Sequence, residues 1–137
     1  MKILVLCTGN SCRSQMAEGF LKLFNSKWEV VSAGTEPSKN VHPKAIQVMQ
    51  EIGIDISKGR PKSVNEFLEQ EFDFVITVCG GAKESCPVFS GKVKNRIHIG
   101  FDDPAEAIGS EEFIISEFVR IRNEINRDFK QFYEKVK

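Results

Sequence analysis

The chain has 137 residues, enough for one domain with a substantial core and too few for two of ordinary size. Nineteen basic residues balance nineteen acidic ones, so net charge points to neither nucleic acid nor an anionic membrane, and any anion specificity must be local. The apolar run after Lys2 is too short for a signal-peptide core or a membrane span, so a soluble cytoplasmic protein is expected; there, four cysteines suggest catalysis, redox exchange or metal binding rather than static disulfides.

In chain order, Lys2 to Leu6 reads as a strand and Cys7 to Ser14 as the turn that follows it. From Ser14 to Asn25, Met16, Phe20, Leu23 and Phe24 form one helical stripe. Trp28 to Ser32 is a second strand, closed by Ala33-Gly34, and Thr35 to Val41 is loop. His42-Pro43 opens a helix whose apolar content is Ala45, Ile46, Val48, Met49 and Ile52, with Gly53 as its end. Ser63 and Glu66 fit a capping box for a short helix to Glu69. Phe72 to Val78 is a buried strand that ends at Cys79.

Gly80 to Gly91 reads as a polar, flexible segment containing Cys86 and Pro87. Asn95 to Ile99 is a fourth strand, followed by the turn Asp102-Asp103-Pro104. From about Ser110, Phe118, Ile121, Ile125, Phe129, Phe132 and Val136 recur at helical spacing, which predicts a long amphipathic helix. The alternation predicts a single-domain α/β fold over residues 1–137, with a four-stranded parallel sheet in the order 2-1-3-4 and helices on both faces. In such sheets ligands bind beyond the carboxyl ends of the strands, where Cys7, Cys79 and the Asp102-Asp103 turn all lie.

The turn Cys7-Thr8-Gly9-Asn10-Ser11-Cys12-Arg13-Ser14 carries the chemistry. Unpaired N–H groups at a helix start favour an anion, Gly9 lets the backbone curl around a tetrahedral oxyanion, and Arg13 can offer two parallel donors. In that field Cys7 is expected as a thiolate, since cysteines so placed can fall to pKa values of roughly 3.5–7.5. Ser14 is positioned to donate to its sulfur. Cys12 is expected to be a small loop residue with no required role.

With the strand order given, Cys7 and Cys79 emerge side by side, about 4.8 Å apart in the sheet. Cys86 lies seven residues beyond Cys79, about 10.5 Å along a helix, whereas a disulfide tolerates about 7 Å. If those two pair, the segment between them must deform, which Gly80 and Gly81 make inexpensive. Zinc held by Cys7, Cys79, Cys86 and a His is the alternative, but the close cysteine pairs of structural sites are missing, and His42 and His98 have ordinary places at a helix start and in a strand. Asp103, before Pro104, suits both a local turn and a general acid above the cradle; Asp102 is the weaker candidate.

These residues resemble the thioredoxin-coupled arsenate reductases built on the low-molecular-weight protein tyrosine phosphatase fold. The resemblance runs through CTGNSCRSQMAEG at 7–19, SAG at 32–34, NVHPKAI at 40–46, DIS at 55–57, ITVC at 76–79, CP at 86–87 and FDDPA at 101–105. It implies Cys7 as nucleophile, Arg13 as oxyanion ligand with Thr8, Gly9, Asn10, Ser11 and Cys12 around it, Ser14 as support of the thiolate and Asp103 as acid. It further implies that Cys79 attacks the arsenic-bound Cys7 and that Cys86 then takes Cys79 into a disulfide, which thioredoxin reduces. No cofactor and no resident metal are implied. The expected partners are arsenate, with phosphate or sulfate competing, and thioredoxin, on a monomer without nucleic acid or membrane.

Some members of that family hold potassium with an Asn, a Glu, a Ser and an Asp. Asn10, Glu18 and Ser32 match the first three, but Lys62 stands in place of the Asp, so activity independent of potassium is expected. Two other readings remain open: a phosphoester hydrolase working through a phosphocysteine, and a redox-regulated binding module. The first has no chemical need for Cys79 and Cys86, and the second leaves Arg13 and Asp103 idle.

Overall fold

The computed structural model describes residues 1–137. Its sheet has four parallel strands, β1 (Lys2–Cys7), β2 (Glu29–Gly34), β3 (Phe72–Thr77) and β4 (Val93–His98), in the order β2-β1-β3-β4. This is the order expected from the sequence. β1, the central apolar run, is buried from Ile3 to Cys7, as a parallel strand covered on both faces must be.

Helices α1 (Arg13–Phe24), α2 (Pro43–Gln50), α3 (Gly80–Ser85) and α4 (Glu111–Val136) connect and cover the strands. Successive residues of β3 separate the two layers. Phe74 packs edge-on against Phe132 of α4, with ring centroids 5.0 Å apart, while Val75 and Thr77 line a cleft beside Cys86 on the other side. The long helix buries the expected stripe of Phe118, Ile121, Ile125, Phe129 and Phe132, and Val136 packs against its edge.

Arg122 interrupts that stripe as a buried cation. It donates to the carbonyl of Val48 at 2.8 Å and pairs with Glu51 at 3.3 Å, satisfying the carboxyl end of α2.

Local expectations differ from the structure in four places. Leu23 is 66% exposed; α1, packed against α4 and the sheet, instead buries Met16, Ala17, Phe20 and Leu21. Ile52 lies beyond the end of α2 and is exposed. Ser63 caps a short 3₁₀ turn, Val64–Phe67, but Glu66 turns to Arg60 at 3.4 Å and leaves the capping box half-made. The segment after Cys79 is not wholly irregular, since Gly80–Ser85 forms α3 with the Cys79 sulfur accepting from the Ala82 N–H at 3.3 Å.

Candidate oxyanion site at the carboxyl ends of the strands

The loop after β1 is shaped by what its carbonyls do. Those of Cys7, Thr8, Gly9 and Ser11 accept from the backbone N–H groups of Thr35, Glu36, Ser38 and His42 at 2.9 to 3.2 Å, so the strand-to-helix loop is pinned from outside by the chain that follows β2. With the carbonyls turned out, the N–H groups of Gly9 to Cys12 have no acceptor in the protein. That is the donor set a tetrahedral oxyanion requires.

Two close approaches make the curl possible. Asn10 adopts a left-handed conformation, φ 53°, which Asn tolerates better than most residues. At Gly34, any Cβ would strike the Thr8 carbonyl and lie 3.2 Å from the Asn10 backbone nitrogen.

Asn10 is the buried keystone of the loop. Its side-chain amide donates to Ser14 Oγ at 2.8 Å, its Oδ1 accepts from the Lys62 N–H at 3.0 Å, and Gln15 Nε2 reaches its carbonyl at 3.2 Å. Ser14 therefore supports Asn10. The neighbours of the Cys7 sulfur are Cys79, the Arg13 charge and the Thr8 N–H, and the expected Ser14 contact is not among them. Gln15, which also donates to the Arg60 carbonyl at 3.2 Å, lies inside the motif, but a neutral amide gives no sign of this role in the sequence.

Arg13 is held on two sides and open on a third. One terminal nitrogen donates to the Phe101 carbonyl at 3.0 Å, the other lies 3.5 Å from Asp103 Oδ2, and Nε is buried without a partner. A buried guanidinium nitrogen left unpaired costs free energy until an acceptor arrives. Asp103 caps the short turn Pro104–Glu106, accepting from the Ala105 N–H at 2.9 Å as its local turn reading requires, and it also faces Arg13. Asp102 points instead to Arg120 at 3.3 Å.

All four cysteines are free thiols, and Cys7 and Cys79 meet as the parallel pairing of β1 with β3 requires. The two neighbouring thiols shift in opposite directions. The adjacent Cys79 sulfur and burial raise the Cys7 pKa, against the Arg13 charge and the Thr8 N–H, which lower it. Cys79, next to Cys7 and 3.3 Å from both the Thr8 hydroxyl and the Ala82 N–H, is lowered to about 5. Burial pushes Cys12 up to about 11, leaving it a neutral thiol. Cys86 is half-buried near Arg96.

His42 takes the helix-cap place anticipated for it, accepting from the Lys44 N–H, and no group of three or more His, Cys, Asp or Glu side chains is arranged to hold a metal. Nor do the residues around Glu18 fit potassium. Ser32 Oγ donates to one Glu18 oxygen at 2.6 Å, Lys22 binds the other at 2.7 Å, and Lys62, near enough to feel the Glu18 charge, donates its ammonium to the Arg60 carbonyl at 3.0 Å.

The kinship of the chain agrees with this geometry. A family model described as low molecular weight phosphotyrosine protein phosphatase matches residues 2–137. An arsenate reductase of Shouchella clausii is 49% identical over 133 residues, covering 96% of this chain and 94% of the relative. That of Bacillus subtilis is 46% identical with the same coverage. Among solved structures, an arsenate reductase in an oxidized state has a TM-score of 0.83 at 31% identity, covering 99% of this chain and 98% of the other. A low molecular weight protein tyrosine phosphatase from T. tengcongensis has a TM-score of 0.83 at 27% identity, covering 99% of both chains. With an oxyanion loop of this build and a match over nearly its whole length, the chain belongs to the low molecular weight phosphotyrosine protein phosphatase family, and its relatives there include arsenate reductases.

Proposed function

We propose that this protein reduces arsenate to arsenite through Cys7, Cys79 and Cys86 in turn, and that thioredoxin restores the thiols. The observation that carries the reading is the meeting of Cys7 with Cys79 at the ends of β1 and β3: the nucleophile position at the bottom of an oxyanion loop has a second sulfur against it, one that also takes bonds from Thr8 and Ala82. A phosphoester hydrolase needs only the first.

Arsenate enters the ring of N–H groups from Gly9 to Cys12, with Arg13 Nε as a further donor. Cys7 attacks arsenic, one hydroxyl leaves as water with the proton that Cys7 gives up, and Asp103, beside Arg13, hands that proton across. The Cys79 thiolate then attacks Cys7 sulfur. An S–S bond forms, the S–As bond breaks, and its electron pair stays on arsenic, so two thiols supply the two electrons that turn arsenate into arsenite.

Cys86 next attacks Cys79, freeing Cys7 and moving the disulfide from a buried loop to a half-exposed segment that a protein reductant can reach. Phosphate and sulfate compete for the loop; one relative, 32% identical, is described as an arsenate reductase in the phosphate binding state. Weak phosphatase activity follows from the same cradle. Four free thiols suit the reducing cytoplasm, where the activity would detoxify arsenic.

The test is one turnover of fully reduced protein with arsenate and no external thiol, quenched in acid and mapped by mass spectrometry. One arsenite per chain with a Cys79–Cys86 disulfide is expected. Unchanged thiols in protein that still hydrolyses an aryl phosphate would make it a phosphatase.

A further inference from the structure

Beside the oxyanion loop, and separate from it, lies a cleft of about 570 Å³ between the α3 segment and the sheet, with Cys86 among its lining residues. Its charged groups are both basic, Lys83 from the α3 side and Arg96 from β4, and His98 of β4 lies beside them. No carboxylate lines it, and neither Lys83 nor Arg96 takes part in an ion pair. Arg96 is held instead by an aromatic ring, its guanidinium carbon 5.4 Å from the centroid of Phe89.

The register aligns these groups with the relay. Arg96 pairs with Val75 and His98 with Thr77, so Arg96 and His98 occupy successive positions on one face, about 6.7 Å apart, and Cys79 follows two residues beyond Thr77. His98 is tied to Thr77 by a hydrogen bond of 2.8 Å. The Cys86 sulfur lies within the field of Arg96, which opposes the effect of burial on its ionisation.

We propose that Arg96 is a positioning residue for the last thiol step: laid over Phe89, its guanidinium holds the Cys86 sulfur beside β4 and stabilises the thiolate that forms there as the 80–86 segment opens toward Cys79. The role in turnover rests on the three-thiol reading above. In that step Cys86 loses its proton to water and its sulfur attacks Cys79. The Cys79–Cys86 bond forms, the Cys7–Cys79 bond breaks, and Cys7 leaves as a thiolate beside Arg13, with no net oxidation.

Two measurements test this in the native chain, Arg96→Gln and Arg96→Lys. In the first, reduced protein without arsenate is alkylated with iodoacetamide from about pH 7 to about pH 11, and Cys86 labelling is read by peptide mass. The midpoint is expected to rise by about one pH unit in Arg96→Gln and to return most of the way in Arg96→Lys. In the second, a single arsenate turnover is quenched over time. Arg96→Gln is expected to accumulate the Cys7–Cys79 disulfide and convert it about tenfold more slowly, with arsenite release within about twofold of the native chain. An unchanged labelling midpoint, or unchanged conversion, overturns the proposal. A native chain that releases no arsenite overturns the relay instead, and the labelling series still decides the role of Arg96.

Discussion

The Thr8 hydroxyl lies 3.3 Å from the Cys79 sulfur, across 71 residues of sequence, and the Ala82 N–H reaches the same sulfur at the same distance. The neighbouring Cys7 sulfur and these bonds lower the Cys79 pKa to about 5. Because a lowered thiol pKa means that the charged form persists as pH falls, Cys79 alkylation should be half-maximal near pH 5 and Cys7 alkylation should need far more alkaline solution. Thr8→Val removes one donor and should move the Cys79 midpoint upward. Mapped iodoacetamide labelling checks both. Labelling of Cys7 before Cys79 on raising the pH would contradict the assignment of the charge.

Asp103→Asn keeps the capping oxygen for the Ala105 N–H but removes the proton donor and the charge facing Arg13. General acid catalysis typically contributes about 10²–10⁴-fold, so the first chemical step should slow by that order, in arsenate turnover and in aryl phosphate hydrolysis alike. Reduction of a preformed Cys79–Cys86 disulfide should not change. Rapid-quench measurement of arsenite separates the two steps, and a variant with native first-step rate would remove Asp103 from the chemistry.

Gly34→Ala places a methyl group against the Thr8 carbonyl, which is itself fixed by the Glu36 N–H at 2.9 Å. The loop has no free direction in which to yield. Overpacking of this kind costs about 1–3 kcal/mol, and the displaced N–H groups should lose phosphate affinity by a larger factor than the stability loss alone accounts for. Thermal unfolding with and without phosphate reads both effects. A variant with native stability and native phosphate protection would show that the loop is not pinned as described.

Lys62 contributes its backbone N–H to Asn10 and its ammonium to the neighbourhood of Glu18. A mobile cation has no vacant carboxylate there, since Lys22 and Ser32 already bind Glu18. Turnover in potassium and sodium buffers matched in ionic strength, and so in screening, should agree within about twofold. Strong activation by potassium would require Lys62 to swing away.

Much of this protein is legible in the sequence because the signals involved are local. Hydrophobic periodicity marks β1, β3 and α4, and the fixed spacing of Cys7, Arg13 and Ser14 on a strand-to-helix turn marks an oxyanion loop. Handedness and alternation of elements then lead to the order β2-β1-β3-β4, and with it to the meeting of Cys7 and Cys79. What only the tertiary structure decided depends on groups far apart in the chain. The bonds that Thr8 and Ala82 direct at the Cys79 sulfur come from residues remote from it or from the turn after it, and which face of α1 is buried is set by its packing against α4. The short helix α3 is too brief to announce itself, since a nucleus of one or two turns is unfavourable by itself; it forms on the Cys79 cap and on Ala82 packed in the core. The basic face of Lys83, Arg96 and His98 beside Cys86 likewise exists only once β4 lies next to β3, because electrostatic fields act through space and a sequence orders residues along a line.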